Sequence, residues 1–200
     1  SELSDGYNLS PTMIGLVIGS MFFAAAVVQV PVGLMLDSFG ARRTLVGLSV
    51  IAVSGMILIG FASGAAELII GRILVGIGHG ASITGVYLLA VVWTSPERVS
   101  TVAAITIAVG GALGGILGTA PLAISFETLG FSDTFVLLAI ASLFSSFLIW
   151  KLIDEKNSFT DKPNASEGLS GSLVGFFEVL KDRNLWPIFA MALCFSFPFA

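Results

Sequence analysis

MIGLVIGSMFFAAAVVQVPVGLML, residues 13–36, runs into DSFGARR, residues 37–43. The first segment holds no Asp, Glu, Lys or Arg, and the second opens on an acid and closes on two arginines. About 20 uncharged residues suffice for a helix to cross a hydrocarbon core about 30 Å thick. Backbone in lipid must satisfy its own hydrogen bonds, so such a run is expected to be helical. The alternation that a barrel strand would show is missing. The segment therefore reads as a membrane span ending in a charged turn.

The pattern repeats along the chain. Thr44 to Ala66 forms a second run, and Leu68 to Trp93 a third, interrupted by Arg72 and His79. Val99 to Phe126 is a fourth, Thr134 to Trp150 a fifth, and Leu185 to Ala200 opens a sixth. Only 11% of the 200 residues are charged, against about 25% in a soluble domain, and the mean hydropathy is +0.99. A chain this poor in charge cannot cover a water-facing surface, so lipid is the expected solvent for most of it.

Eight of the nine basic residues fall in alternate connections. Arg42 and Arg43 follow the first run, Arg98 the third, and Lys151, Lys156, Lys162, Lys181 and Arg183 the fifth. The ninth, Arg72, lies within a span. The intervening connections, Ser63 to Glu67 and Glu127 to Asp133, carry acids and no Lys or Arg. Basic loops stay on the cytoplasmic side, which puts Ser1 outside. Residues 1–10 lack the basic region of a secretory leader. An outside start without a leader is what a lost upstream span would produce, so a missing first helix is expected.

Two stretches carry the most specific signals. The first is Gly33-Leu-Met-Leu-Asp37-Ser38-Phe39-Gly40-Ala41-Arg42-Arg43. Gly33 permits a close helix approach, Gly40 a turn with positive φ, and Asp37 can cap a helix or pair with a base. Arg42 and Arg43 suit an anionic leaflet. The second is Gly71-Arg72-Ile-Leu-Val-Gly76-Ile-Gly78-His79-Gly80. Arg72, Gly76, His79 and Ile83 share a helical face. An arginine below the interface is costly and is expected to face protein or water, or else to reach outward toward Glu67. An imidazole such as that of His79 suits a proton relay or an anionic solute; the alternative is a neutral histidine hydrogen-bonded between helices.

These stretches resemble the major facilitator superfamily: the first its signature loop between helices two and three, the second its fourth-helix motif. In the loop, Ser38 and Ala41 stand where that family often has basic residues. Gly110, Gly114 and Gly118, interleaved with Gly111 and Gly115 and followed by Pro121, resemble the fifth-helix motif of its antiporters, with Thr119-Ala120-Pro121 in place of Gly-Pro. Small residues every fourth position pack helices backbone to backbone, and Pro121 permits a bend.

The resemblance implies an all-α polytopic bundle corresponding to helices 2–6, a central loop and the start of helix 7 of a twelve-helix fold. Residues 1–152 would be the N-terminal half without its first span. Residues 153–183 would be a cytoplasmic connection, with a short amphipathic helix from Leu169 to Leu180, and 184–200 the start of the second half. It further implies secondary active transport of a small solute by alternating access, coupled to protons or to exchange. Arg72 and His79 would serve solute binding or proton coupling. Gly33, Asp37, Gly40, Arg42 and Arg43 would form the inner gate, with Gly76, Gly110, Gly114, Gly118 and Pro121 shaping the helices. A second possibility is a transporter-like sensor that binds solute without net flux. The partners expected are a small solute, protons, the bilayer, and the missing helix and second half of the same chain. The location expected is the plasma membrane.

No catalytic set, phosphate loop or nucleic-acid patch is found, and the single cysteine, Cys194, supports neither a disulfide framework nor a metal cluster. Neither cofactor nor enzymatic activity is expected. Trp93 and Trp150 read as interfacial anchors. Gln29, Ser54, Thr84, Tyr87 and Thr106 are further polar groups at membrane depth, and spacing does not tell which of them line a cavity.

Overall fold

The computed structural model describes residues 10–153, with Asp37 by its backbone alone. The expected amphipathic helix at 169–180 and the sixth run lie outside the described residues. All regular structure among them is helical: α1 (Pro11–Phe39), α2 (Ala41–Gly60), α3 (Ala65–His79), α4 (Ser82–Trp93), α5 (Val99–Leu117), α6 (Ala120–Leu129) and α7 (Phe131–Leu152). They make five spans long and apolar enough to cross a membrane, because α3 with α4, and α5 with α6, each follow one another within a single span. The chain is thus an integral, multi-pass helical membrane protein.

Local chemistry sets the ends. The Ser10 hydroxyl accepts from the Met13 amide at 3.2 Å and caps α1, with Pro11 in the first turn. Gly40 sits at φ 80°, where a side chain would be strained, and reverses the chain from α1 into α2. Across this turn the buried Thr44 hydroxyl donates to the Met35 carbonyl at 3.0 Å. Gly130, at φ 85°, makes the corresponding turn between α6 and α7. Phe126, Phe131 and Phe135 cluster around it, the closest pair with ring centroids 4.8 Å apart. Before α3, Ser63 donates through both its backbone N–H and its hydroxyl to the Glu67 carboxylate. Glu67 thereby serves its own helix end, where the dipole favours an acid, rather than Arg72.

Apolar side chains gain nothing by leaving lipid for one another, so packing rests on close backbone approach. α2 lies between α3 and α7, while α1 packs on α3. The α2–α3 contact is made by glycines. A Cβ at Gly55 would fall 2.6 Å from the Gly71 carbonyl and 2.8 Å from the Val75 amide; one at Gly78 would fall 2.5 Å from the Ala52 amide. The α2–α7 pair is joined at the end remote from the Gly40 turn by the Ser132 hydroxyl, which donates to the Gly60 carbonyl at 2.5 Å. Two buried clusters follow from this arrangement. One joins Val17, Ile59, Leu68 and Val75, and the other Val32, Leu36, Ala41, Leu48 and Ala81 beside the Gly40 turn.

The fourth span behaves differently. α5 touches α4 through the small cluster of Ala90, Val99 and Ala103, and from Ala104 to Pro121 every residue is exposed among the described residues. The chain breaks at Gly118–Thr119, ahead of Pro121, which stands in the first turn of α6. Proline has no N–H to offer the Leu117 carbonyl four residues back, so the interruption precedes it.

Candidate functional site

Two of the sequence-derived positions lie on the third span. At 1.5 Å per residue, Arg72 stands about 10 Å and His79 about 21 Å along the helix from Ala65. The Arg72 guanidinium is half-buried, and its Nη1 reaches the Met21 thioether of α1 at 4.0 Å. A thioether is a weak acceptor, and no carboxylate pairs with Arg72 among the described residues. One turn on, Gly76 is pressed against the backbone of Met21 and the Ala24 methyl. From His79 the same face opens: His79 is exposed and Ile83 is 64% exposed. The His79 Nδ1 lies 3.1 Å from the Val75 carbonyl. A carbonyl only accepts, so this bond puts a proton on Nδ1 and leaves Nε2 as the neutral ring's acceptor.

The third span is not one continuous helix. α3 ends at His79, α4 starts at Ser82, and no backbone bond joins the Thr84 amide to the Gly80 carbonyl. That carbonyl, near the middle of the span, would be costly to leave unpaired in lipid. Gln29 of α1 supplies the donor. Its Nε2 donates to the Gly80 carbonyl at 3.0 Å, and its Oε1 accepts from the Thr84 hydroxyl at 3.2 Å. Gly80 makes this possible: a Cβ there would fall 2.5 Å from Val28 Cγ1, so α1 passes close enough for the next side chain to reach.

The other polar groups at depth divide by this test. Ser54 donates to the Ile51 carbonyl at 2.7 Å and Thr106 to the Val102 carbonyl at 2.8 Å, both within their own helices. Tyr87 is 51% exposed. Gln29 and Thr84 alone of the five join different helices. Sequence marked both as polar, but their pairing lies 55 residues apart and no local period announces it. Gln29→Leu is expected to destabilise the protein by about 1–2 kcal/mol by orphaning the Gly80 carbonyl. A thermal melt in detergent measures this, and a melting temperature equal to the parent's would remove the bridge from the account.

At the inner end, Gly40 and Thr44 shape the turn as described above. Nothing among the described residues comes within 4 Å of a Cβ built at Gly33. Arg42 is half-buried, its guanidinium carbon 3.9 Å from the centre of a Trp150 ring on α7, and its Nε is buried with no hydrogen-bond partner. Arg43 is exposed. Of the helix-shaping glycines, Gly76 stands at a close contact, whereas a Cβ at Gly110 or Gly114 meets nothing within 4 Å and one at Gly118 meets only its own helix's carbonyls. Gly55, Gly71 and Gly78 make the close α2–α3 approaches; Gly71 and Gly78 lie in the sequence stretch around Arg72, whereas only the structure reveals Gly55.

Charged and hydrogen-bonding groups placed inside apolar helices, with a span broken near mid-membrane, define a class: polytopic proteins with polar sites at membrane depth. The whole chain, residues 1–200, matches the profile of the Major Facilitator Superfamily, and the chain belongs to that family. Its relatives are transporters. It is 30% identical over 166 residues to the hexuronate transporter of Bacillus subtilis, covering 80% of this chain and 38% of that protein. It is 37% identical over 93 residues to sodium-dependent phosphate transport protein 1 of Mus musculus, covering 45% of this chain and 20% of that one. To the arabinose-proton symporter of Bacillus subtilis it is 35% identical over 88 residues, 43% of this chain and 19% of the relative. The chain therefore spans less than half the length of each.

Proposed function

We propose that this chain is part of a secondary active transporter for a small organic anion, working by alternating access at the plasma membrane and coupled to protons. The observation that carries the reading is Arg72: a cation held about 10 Å into a span with only the Met21 sulfur against it among the described residues. A guanidinium so placed is costly unless it recognises something of opposite charge, and a solute carboxylate fits it as a two-oxygen acceptor. His79, with Nε2 open, is the group suited to carry a proton or a second contact. Relatives named for hexuronate and phosphate support an anionic solute, and one named a proton symporter supports the coupling. Gly33, Asp37, Gly40, Arg42 and Arg43 serve as the inner gate, closing when the solute site faces outward.

The test is uptake of radiolabelled D-glucuronate, a hexuronate, into proteoliposomes reconstituted from the complete reading frame. Accumulation above the external concentration, driven by an inward proton gradient and lost when a protonophore collapses it, is the expected result. Saturable binding without accumulation would turn the reading toward a sensor. Accumulation of arabinose but not glucuronate would overturn the assignment to an anion.

A further inference from the structure

Beside the Gly40 turn, α2 and α7 meet through Arg42 and Trp150. Arg42 is the second residue of α2 and Trp150 the third from the end of α7, and the guanidinium lies 3.9 Å from the indole centre. With the Ser132–Gly60 bond at the opposite end, the antiparallel α2–α7 pair is fastened at both membrane faces. Stacking covers the Arg42 Nε, which is buried without a hydrogen-bond acceptor among the described residues, and the ring face compensates the charge there. The residue before Arg42 is equally telling. Ala41 is 1% exposed and belongs to the same buried cluster as Ala81, which lies in the break between α3 and α4. The inner turn, the break and the end of α7 thus meet through adjoining residues.

We infer that Trp150 is a positioning residue of the inner gate: its indole holds Arg42 and so keeps the Gly40 turn seated on the cluster that contains Ala81. This rests on the gate reading proposed above. When the indole is removed, Arg42 is left half-desolvated with nothing to stack on, and the turn lifts more often to return the charge to water or to lipid phosphate. Lifting exposes Ala41. The aromatic face matters here rather than the bulk, since cation–π attraction follows the ring quadrupole.

Accessibility of a cysteine at position 41 reads this directly, without knowledge of the solute. Ala41→Cys is placed in a background whose native cysteines, Cys194 among them, are serine, and the rate of N-ethylmaleimide labelling is measured on monodisperse full-length protein. Trp150→Leu is expected to speed labelling on the order of tenfold, the factor of a cation–π contact of middling strength. Trp150→Phe is expected to stay within about threefold of the parent. Arg42→Gln removes the charge that drives lifting, so it is expected to label more slowly than Trp150→Leu, and adding Trp150→Leu in that background is expected to bring no further gain; this last comparison stands in should Trp150→Leu alone prove unstable. An unchanged rate in Trp150→Leu, or equal rates for Leu and Phe, would overturn the inference. Glucuronate uptake by Asp37→Asn separates the two readings. Normal uptake there sinks the gate reading, while the labelling rates still decide whether Trp150 seats the turn.

Discussion

Arg72→Leu is expected to abolish glucuronate uptake while leaving the protein at least as stable as the parent. The two halves of that outcome have different physical origins. Arg72 is half-buried with only the Met21 thioether as partner, so removing the charge breaks no ion pair among the described residues. Insertion scales put an arginine at a helix centre at about 2.5–3.5 kcal/mol, and part of that cost is recovered when a leucine replaces it. A melting temperature equal to or above the parent's is therefore expected in detergent. For transport the sign reverses. A charge-assisted hydrogen bond to a solute carboxylate is worth about 1.5–3 kcal/mol, so its loss lowers the uptake rate per unit solute on the order of a hundredfold. Arg72→Lys keeps the charge but not the planar fork and is expected to fall between. If Arg72→Leu transported normally, the solute site would have to be sought elsewhere. If it unfolded the protein, Arg72 would be structural.

Gly55→Val is expected to damage the bundle severely. Its Cβ would meet three atoms within 2.8 Å, two of them backbone: the Gly71 carbonyl and the Val75 amide, besides the Leu74 Cβ. Backbone cannot rotate away as a side-chain tip can, so α2 and α3 would have to separate along their whole contact. Overpacking costs about 1–3 kcal/mol where neighbours can shift, and here a cost above about 3 kcal/mol is expected, seen as loss of monodisperse protein on size exclusion. Gly47→Ala, on the same helix with nothing within 4 Å of its Cβ, is expected to be neutral or mildly stabilising, because alanine is the better helix former by about 1 kcal/mol. Equal behaviour of the two variants would contradict the packing described for α2 and α3.

The helical spans and their number up to Leu152 were legible in the one-dimensional pattern. Apolar runs of spanning length must be helical in lipid, and the charged connections between them mark where each one ends. The Gly40 turn was legible too, since a glycine between two spans marks where positive φ is needed. Arg72 and His79 stood out as polar atoms in an apolar run.

Partnership was not legible. The rows of glycines on α5 have the most regular spacing in the chain, yet face no described residue, whereas Gly55, Gly76 and Gly78, which form no such row, carry close contacts. Gln29 finds Gly80 and Thr84, and Arg42 finds Trp150, across helices that sequence does not order in space. Burial in a bilayer is dictated residue by residue through transfer from water, which a linear pattern records. Helix-to-helix contacts are settled by shape and by unpaired donors and acceptors, and these acquire neighbours only once the spans are set side by side.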